Sequence, residues 1–217
     1  ENLILVDVVC RAVPSPGVWD KYVQYEIQRK GELSSVKFRD KTLGYQYSTM
    51  EIKTKDGKTY RGGIENQPWL RMFFSGMIIR PSCTACKFRS RYRNSDFTIW
   101  DCFTSYKYDK SFDERKGTTR VLVHSEKGKK IFANIESKFK CCEISSDNAV
   151  QNVTEMVKSP EFHTKRAEFF SEFHILKMSL LIKKYFPVTL KLKLKKYVRL
   201  GLNFVGLDKI IKRYIKK

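Results

Sequence analysis

The chain has 217 residues, with 43 Lys+Arg against 23 Asp+Glu and a net charge of +20. Hydrophobic residues make up 41% and aromatic residues 13%, enough for a packed core, which excludes a wholly disordered chain. No apolar run approaches the roughly 18 residues that span a bilayer, and no basic leader with a small-residue cleavage site opens the sequence.

The length suits one domain with an appendage, or two small domains. The sequence opens at Glu1 inside an apolar run and reads as a fragment lacking its N-terminal part. Residues 3–9 are nearly all apolar and rich in β-branched side chains, which predicts a buried strand ending at Cys10. In Val13-Pro14-Ser15-Pro16-Gly17, Ser15 is placed to cap a helix and Pro16 sits at its first position. Trp19, Tyr22, Val23 and Ile27 follow near helical spacing, and Gly31 ends the helix. Residues 36–39 and 45–54 read as strands, and Asp56-Gly57 turns the second back into a short strand near Tyr60. Asn66-Gln67-Pro68 opens a second helix bearing Trp69, Leu70, Phe73 and Phe74.

After a loop at residues 80–87, residues 96–101 read as a strand, and residues 103–118 as a long polar loop. Val121-Leu122-Val123 is a buried strand, Glu126–Ile135 a helix and residues 138–144 a strand. From Ala149 the pattern is mostly helical, with breaks at Pro160 and Pro187. Strands and helices intermix, so the fold class is α/β (α+β), a mixed sheet flanked by helices with a basic helical C-terminal extension. The expected division is a body over 1–174 and a tail over 175–217.

Charge is uneven along the chain. Residues 175–217 hold 13 Lys/Arg and a single acid, Asp208, a net of +12, whereas residues 1–174 hold 30 basic and 22 acidic residues, a net of +8. The alternation Leu190-Lys191-Leu192-Lys193-Leu194-Lys195 suits a strand, but the neighbouring Ile210-Ile211-Lys212-Arg213-Tyr214-Ile215 suits a basic amphipathic helix. Such a helix either packs its apolar face on the body or lies on an anionic membrane surface. Nucleic acid is the least favoured partner, since no helix-turn-helix, zinc-finger or RNA-recognition signature is present.

Six cysteines stand at 10, 83, 86, 102, 141 and 142. Cys83-Thr84-Ala85-Cys86 is the most informative local feature, because two intervening residues let both thiolates face one metal centre. The pair reads as a metal or iron–sulfur site, a redox dithiol, or structural thiols. Lys87, Arg89, Arg91 and Arg93 follow it and are expected to offset thiolate charge. Cys10, at a strand end, is a third metal-ligand candidate or a small core residue. Cys141 and Cys142 read as packing residues, and Cys102 stays unassigned.

Several separated segments together resemble the C-terminal domain of the coenzyme F-420 hydrogenase/dehydrogenase beta-subunit family. They are residues 6–16 with Val18-Trp19, then Phe38-Arg39-Asp40-Lys41, Arg80-Pro81-Ser82-Cys83-Thr84-Ala85-Cys86-Lys87-Phe88, and Ser95-Asp96-Phe97-Thr98-Ile99-Trp100-Asp101. Their order and spacing match over about residues 2–125 and more weakly to 170, in the form of the bacterial branch that accompanies surface-polysaccharide genes. The resemblance implies an oxidoreductase subunit that passes electrons between a flavin (FAD) and a [4Fe-4S] cluster. Cys10, Cys83 and Cys86 are the implied cluster ligands, and the fourth lies in a Thr-Pro-Cys-Gln segment ahead of residue 1. The implied partner is a redox protein or ferredoxin-like module.

Ser95, Asp96 and Thr98 are candidate flavin contacts, or satisfy loop backbone, and Lys116-Gly117 resembles the family's glycine-containing loop. The chain departs from the family at Cys10-Arg11-Ala12, where Cys-His-Gly is usual. It departs again at Trp100-Asp101-Cys102-Phe103-Thr104, where Gly-Asp-Phe-Trp-Gly is usual. Glycine admits close backbone approach to a flavin, and Trp100 and Thr104 do not. Two rival readings follow: a zinc-binding, non-redox module, and a degenerate member kept as a partner or membrane-surface subunit. No Ser or Cys is spaced with His124, His163 or His174 as a hydrolytic nucleophile. The expected location is cytoplasmic, peripheral at the inner membrane face if the tail binds lipid.

Overall fold

The computed structural model describes residues 2–45, 47–112 and 116–204. The chain forms two compact units, one from residues 1–13 and 80–161, the other from residues 14–79 and 162–217. The division expected at 174 therefore falls inside the second unit. The Ile210–Ile215 segment lies outside the described residues.

The first unit is built on a three-stranded mixed sheet of β1 (Val6–Val8), β5 (Phe97–Asp101) and β6 (Thr119–Val123), ordered β1-β5-β6. β1 runs parallel to β5, and β6 antiparallel to it. The apolar run before Cys10 is a shorter strand than expected and is not buried: Leu3, Val6 and Val8 are 68%, 54% and 57% exposed. Among the described strands of this sheet only β5 has a neighbour on each side, which leaves β1 at an edge. After β6, Ser125 caps α3 (Glu126–Ile135), its Oγ accepting the Gly128 N–H at 2.9 Å. Gly128 is required there, since a Cβ would lie 2.9 Å from the Asp96 carbonyl oxygen and 3.1 Å from Val123 Cγ1. Two short helices, α4 (Ser146–Val150) and α5 (Thr154–Val157), complete this unit. The strand expected at 138–144 is absent. A 3-10 turn at Glu136–Lys138 leads into irregular chain, and no described strand pairs with it.

In the second unit, α1 (Pro16–Lys30) starts with Pro in its first turn and stops at Gly31. Gly31 adopts φ 92°, and its N–H bonds the Ile27 carbonyl, a conformation that costs glycine little. Ser15 stands at the N-cap but makes no side-chain capping bond. β2 (Leu33–Asp40), β3 (Thr49–Thr54) and β4 (Thr59–Gly63) form an antiparallel sheet in that order. Asp56-Gly57 turns β3 into β4, with Gly57 at φ 86°. Met50 and Ile52 are fully buried on one face of β3. On the other face the register sets Glu51 between Lys37 and Arg61, and those cations with Lys53 surround the buried carboxylate. The core gathers Val18 and Tyr22 of α1, Trp69, Leu70 and Met72 of α2 (Pro68–Phe74), Phe169 and Phe173 of α6 (Arg166–Phe173), and Leu181 and Ile182 of α7 (Met178–Tyr185). The alternating Leu–Lys segment is helical, as α8 (Leu190–Phe204).

Candidate metal centre

Cys83 lies in a 3-10 turn at Pro81–Ala85 with Pro in its first position, where the fixed φ of the ring is tolerated. The Cys83 N–H closes the turn on the Arg80 carbonyl at 3.0 Å. Cys83 is 8% exposed, and its Sγ accepts the Val13 N–H at 3.2 Å. An N–H aimed at a cysteine sulfur is a means by which proteins tune thiolate-bound metals. Cys86 is half-buried, and its N–H donates to Ser159 Oγ at 3.2 Å. Cys10 is exposed and lies three residues ahead of Val13.

Arginines fasten these loops. Arg89 donates to the Arg11 carbonyl at 2.6 Å and to the Glu155 carbonyl, while Arg11 pairs with the Glu155 carboxylate at 3.2 Å. The Arg80 N–H bonds the Val13 carbonyl at 2.8 Å. The loop bearing Cys10 is thus tied to the loop bearing Cys83 and Cys86 at Arg11 and at Val13. Arg91 pairs with Asp147 at 2.8 Å, and Arg93 with Asp7 at 3.0 Å. The guanidinium groups of the basic run after the cysteine pair are engaged by carbonyls and carboxylates and work as staples. Among the described residues no three His, Cys, Asp or Glu side chains are grouped so as to hold a metal ion. The donors suit a thiolate-bound metal in kind, and their loops adjoin, but the three thiols do not form a closed ligand set. Cys102 is buried, whereas Cys141 and Cys142, expected as packing residues, are exposed.

The polar residues read from sequence as flavin contacts are engaged within the chain. The Asp96 carboxylate accepts the Leu5 N–H at 2.9 Å, the Ser125 hydroxyl at 2.5 Å and Lys127 at 3.0 Å. The Leu5 N–H first, then Ser125 and Lys127, hold its pKa down to about 2. Asp96 therefore ties the chain ahead of β1 to the start of α3. Thr98 is 1% exposed, with Oγ1 2.7 Å from His124 Nε2. Ser95 donates to Asp7 at 3.0 Å. Lys116 is exposed, and Gly117 adopts φ 94°. At the family's glycine position, Thr104 Oγ1 accepts from Arg120 at 3.0 Å.

Nothing in the sequence shows that Asp7, Arg93 and His124 meet: Arg93 reads there as one of the cations after the cysteine pair, and His124 only as a histidine without a nucleophile. In the fold Arg93 pairs with Asp7 and His124 meets Thr98. The register places Asp7 beside Thr98, and His124 follows the end of β6, so residues far apart in sequence share one polar cluster. Burial lowers the His124 pKa from 6.5, opposed by the Asp7 carboxylate and assisted by Arg93. The one local signal was a carboxylate inside an apolar strand, Val6-Asp7-Val8.

Asp96→Asn is expected to destabilise the protein at pH 7, with the deficit shrinking in acid. A carboxyl depressed on folding contributes fully above its ordinary 3.8 and loses that contribution as pH falls toward about 2. Denaturant unfolding of both proteins across this range checks it; an equal deficit at both ends contradicts it.

The fold and these loops define a mixed α/β domain with a cysteine-bearing loop fastened beside a strand end. The chain belongs to the family defined by the C terminus of the coenzyme F420 hydrogenase/dehydrogenase beta subunit, whose sequence model matches residues 1–149. It is therefore a hydrogenase/dehydrogenase beta-subunit-like domain, broadly related to oxidoreductases. The matched span contains all six cysteines. No curated protein and no solved structure gives a match.

Proposed function

We propose that the chain is the cluster-bearing part of an electron-transfer subunit, with Cys10, Cys83 and Cys86 as ligands of one [4Fe-4S] cluster and a fourth thiolate supplied from outside the described residues. The observation that carries this reading is the double fastening of the Cys10 loop to the Cys83–Cys86 loop, through Val13 and through Arg89 on Arg11. A cluster in this position supplies one-electron redox chemistry. The chain's own contributions are the Val13 N–H on the Cys83 sulfur, the partial burial of Cys86 and the arginine staples that hold the loops together.

The electron partner is a redox protein or ferredoxin-like module. The flavin contacts proposed with this reading are the exposed Lys116 and its neighbour Gly117, whereas Asp96 and Thr98 are buried. The setting proposed with this function, surface-polysaccharide assembly, rests on the resemblance alone.

Full-length protein purified without oxygen is expected to be brown. Its visible absorbance bleaches with dithionite, and a low-temperature electron paramagnetic resonance signal of a reduced cluster appears. Protein that is colourless and unchanged by dithionite contradicts the proposal.

A further inference from the structure

We propose that α8 is an interfacial anchor that lies on an anionic lipid membrane. Leu190, Leu194, Tyr197 and Val198 are 82%, 66%, 67% and 52% exposed. Their spacing of four, three and one places them on one stripe of a helix with about 3.6 residues per turn. The preceding helix behaves differently. In α7, Met178, Leu181 and Ile182 are buried in the core of the second unit, whereas this stripe of α8 stays in solvent. An exposed apolar stripe of this length needs an explanation beyond scattered surface residues.

Charge selects the occupant. α8 carries Lys191, Lys193, Lys195, Lys196 and Arg199 and no acid. Lys191 and Lys193 are exposed, and by helical position they border the stripe on its two sides. Long cationic side chains in that position run their stems over the apolar boundary and keep their ammonium groups at the headgroups. Tyr197 within the stripe suits the same depth, with an apolar ring and a polar tip.

A second copy seated on this stripe would bring the bordering Lys191 and Lys193 of the two helices together with no acid in either helix to answer them, which opposes helix pairing. A polyanion such as nucleic acid uses the cations but gains nothing from the leucines. Fifteen residues rise only about 22 Å against a hydrocarbon core of about 30 Å. No described helix is long and apolar enough to cross a membrane, so the helix lies along the surface.

Co-sedimentation of the full chain with lipid vesicles tests this proposal, which does not depend on the cluster. In about 0.1 M salt the protein is expected to bind phosphatidylcholine vesicles containing roughly 30% phosphatidylserine and to bind pure phosphatidylcholine far more weakly. Lys191→Gln and Lys193→Gln are each expected to weaken binding roughly fivefold. Leu194→Glu with Val198→Glu is expected to weaken it more than tenfold, with the unfolding midpoint unchanged because both positions are exposed. Three results overturn the proposal: no binding of the unaltered chain to the anionic vesicles, binding that survives the double substitution, and self-association that the double substitution removes in the absence of any vesicle binding.

Discussion

Phe169→Ala is expected to destabilise the second unit by about 3–5 kcal/mol, the range for deleting a buried aromatic ring. Phe169 is fully buried, and its ring meets those of Phe170 and Tyr185 at 5.3 Å in edge-on geometry and those of Phe173 and Phe186 just over 6 Å away. Such pairs add to area burial. The position matters because the unit is assembled from two separate stretches of chain, and α6 and α7 bring the second stretch into the core with α1 and α2. Since whole domains are stable by about 5–15 kcal/mol, this loss is a large fraction of the total. Urea unfolding checks it: Phe170→Ala, at a half-buried site, should cost less, and a Phe169→Ala loss below about 1 kcal/mol contradicts the packing described.

The second large effect concerns the thiols. Cys10→Ser, Cys83→Ser and Cys86→Ser are each expected to abolish or nearly abolish cluster iron in anaerobically purified full-length protein, because hydroxyl oxygen is a poor replacement for thiolate sulfur at iron. Cys141→Ser and Cys142→Ser, at exposed positions where each thiol lies about 3.7–3.9 Å from a backbone carbonyl, should keep full iron. Cys102→Ser, buried, should lower stability while leaving iron per folded chain unchanged. Iron content beside a thermal melt for each variant separates ligands from packing residues. Iron loss spread evenly over all six positions contradicts the assignment.

Much of the fold was legible where local chemistry decides it. Pro16 and Gly31 bracket α1, Asp56-Gly57 makes the β3–β4 turn, and the helix expected over Glu126–Ile135 is α3. Local pattern failed where a partner decides. Residues 138–144 read as a strand, but no described strand lies alongside to complete the ladder. Residues 190–195 alternate strictly, yet Leu and Lys are good helix formers and the segment is helical.

The candidate centre divides in the same way. The Cys83–Cys86 pair is visible from spacing alone. The ties that bring the Cys10 loop beside it run through Val13, Arg11 and Arg89, across sequence separations that a single chain does not reveal. Asp96 reads in sequence as a flavin contact or a partner for loop backbone, and in the fold its carboxylate is the clasp between the Leu5 N–H and Ser125.

The most direct measurement is the metal and acid-labile sulfide content of full-length protein purified and kept without oxygen. The account predicts about four irons and four sulfides per chain. Stoichiometric zinc with no sulfide and no visible absorbance, or no metal at all, would contradict it.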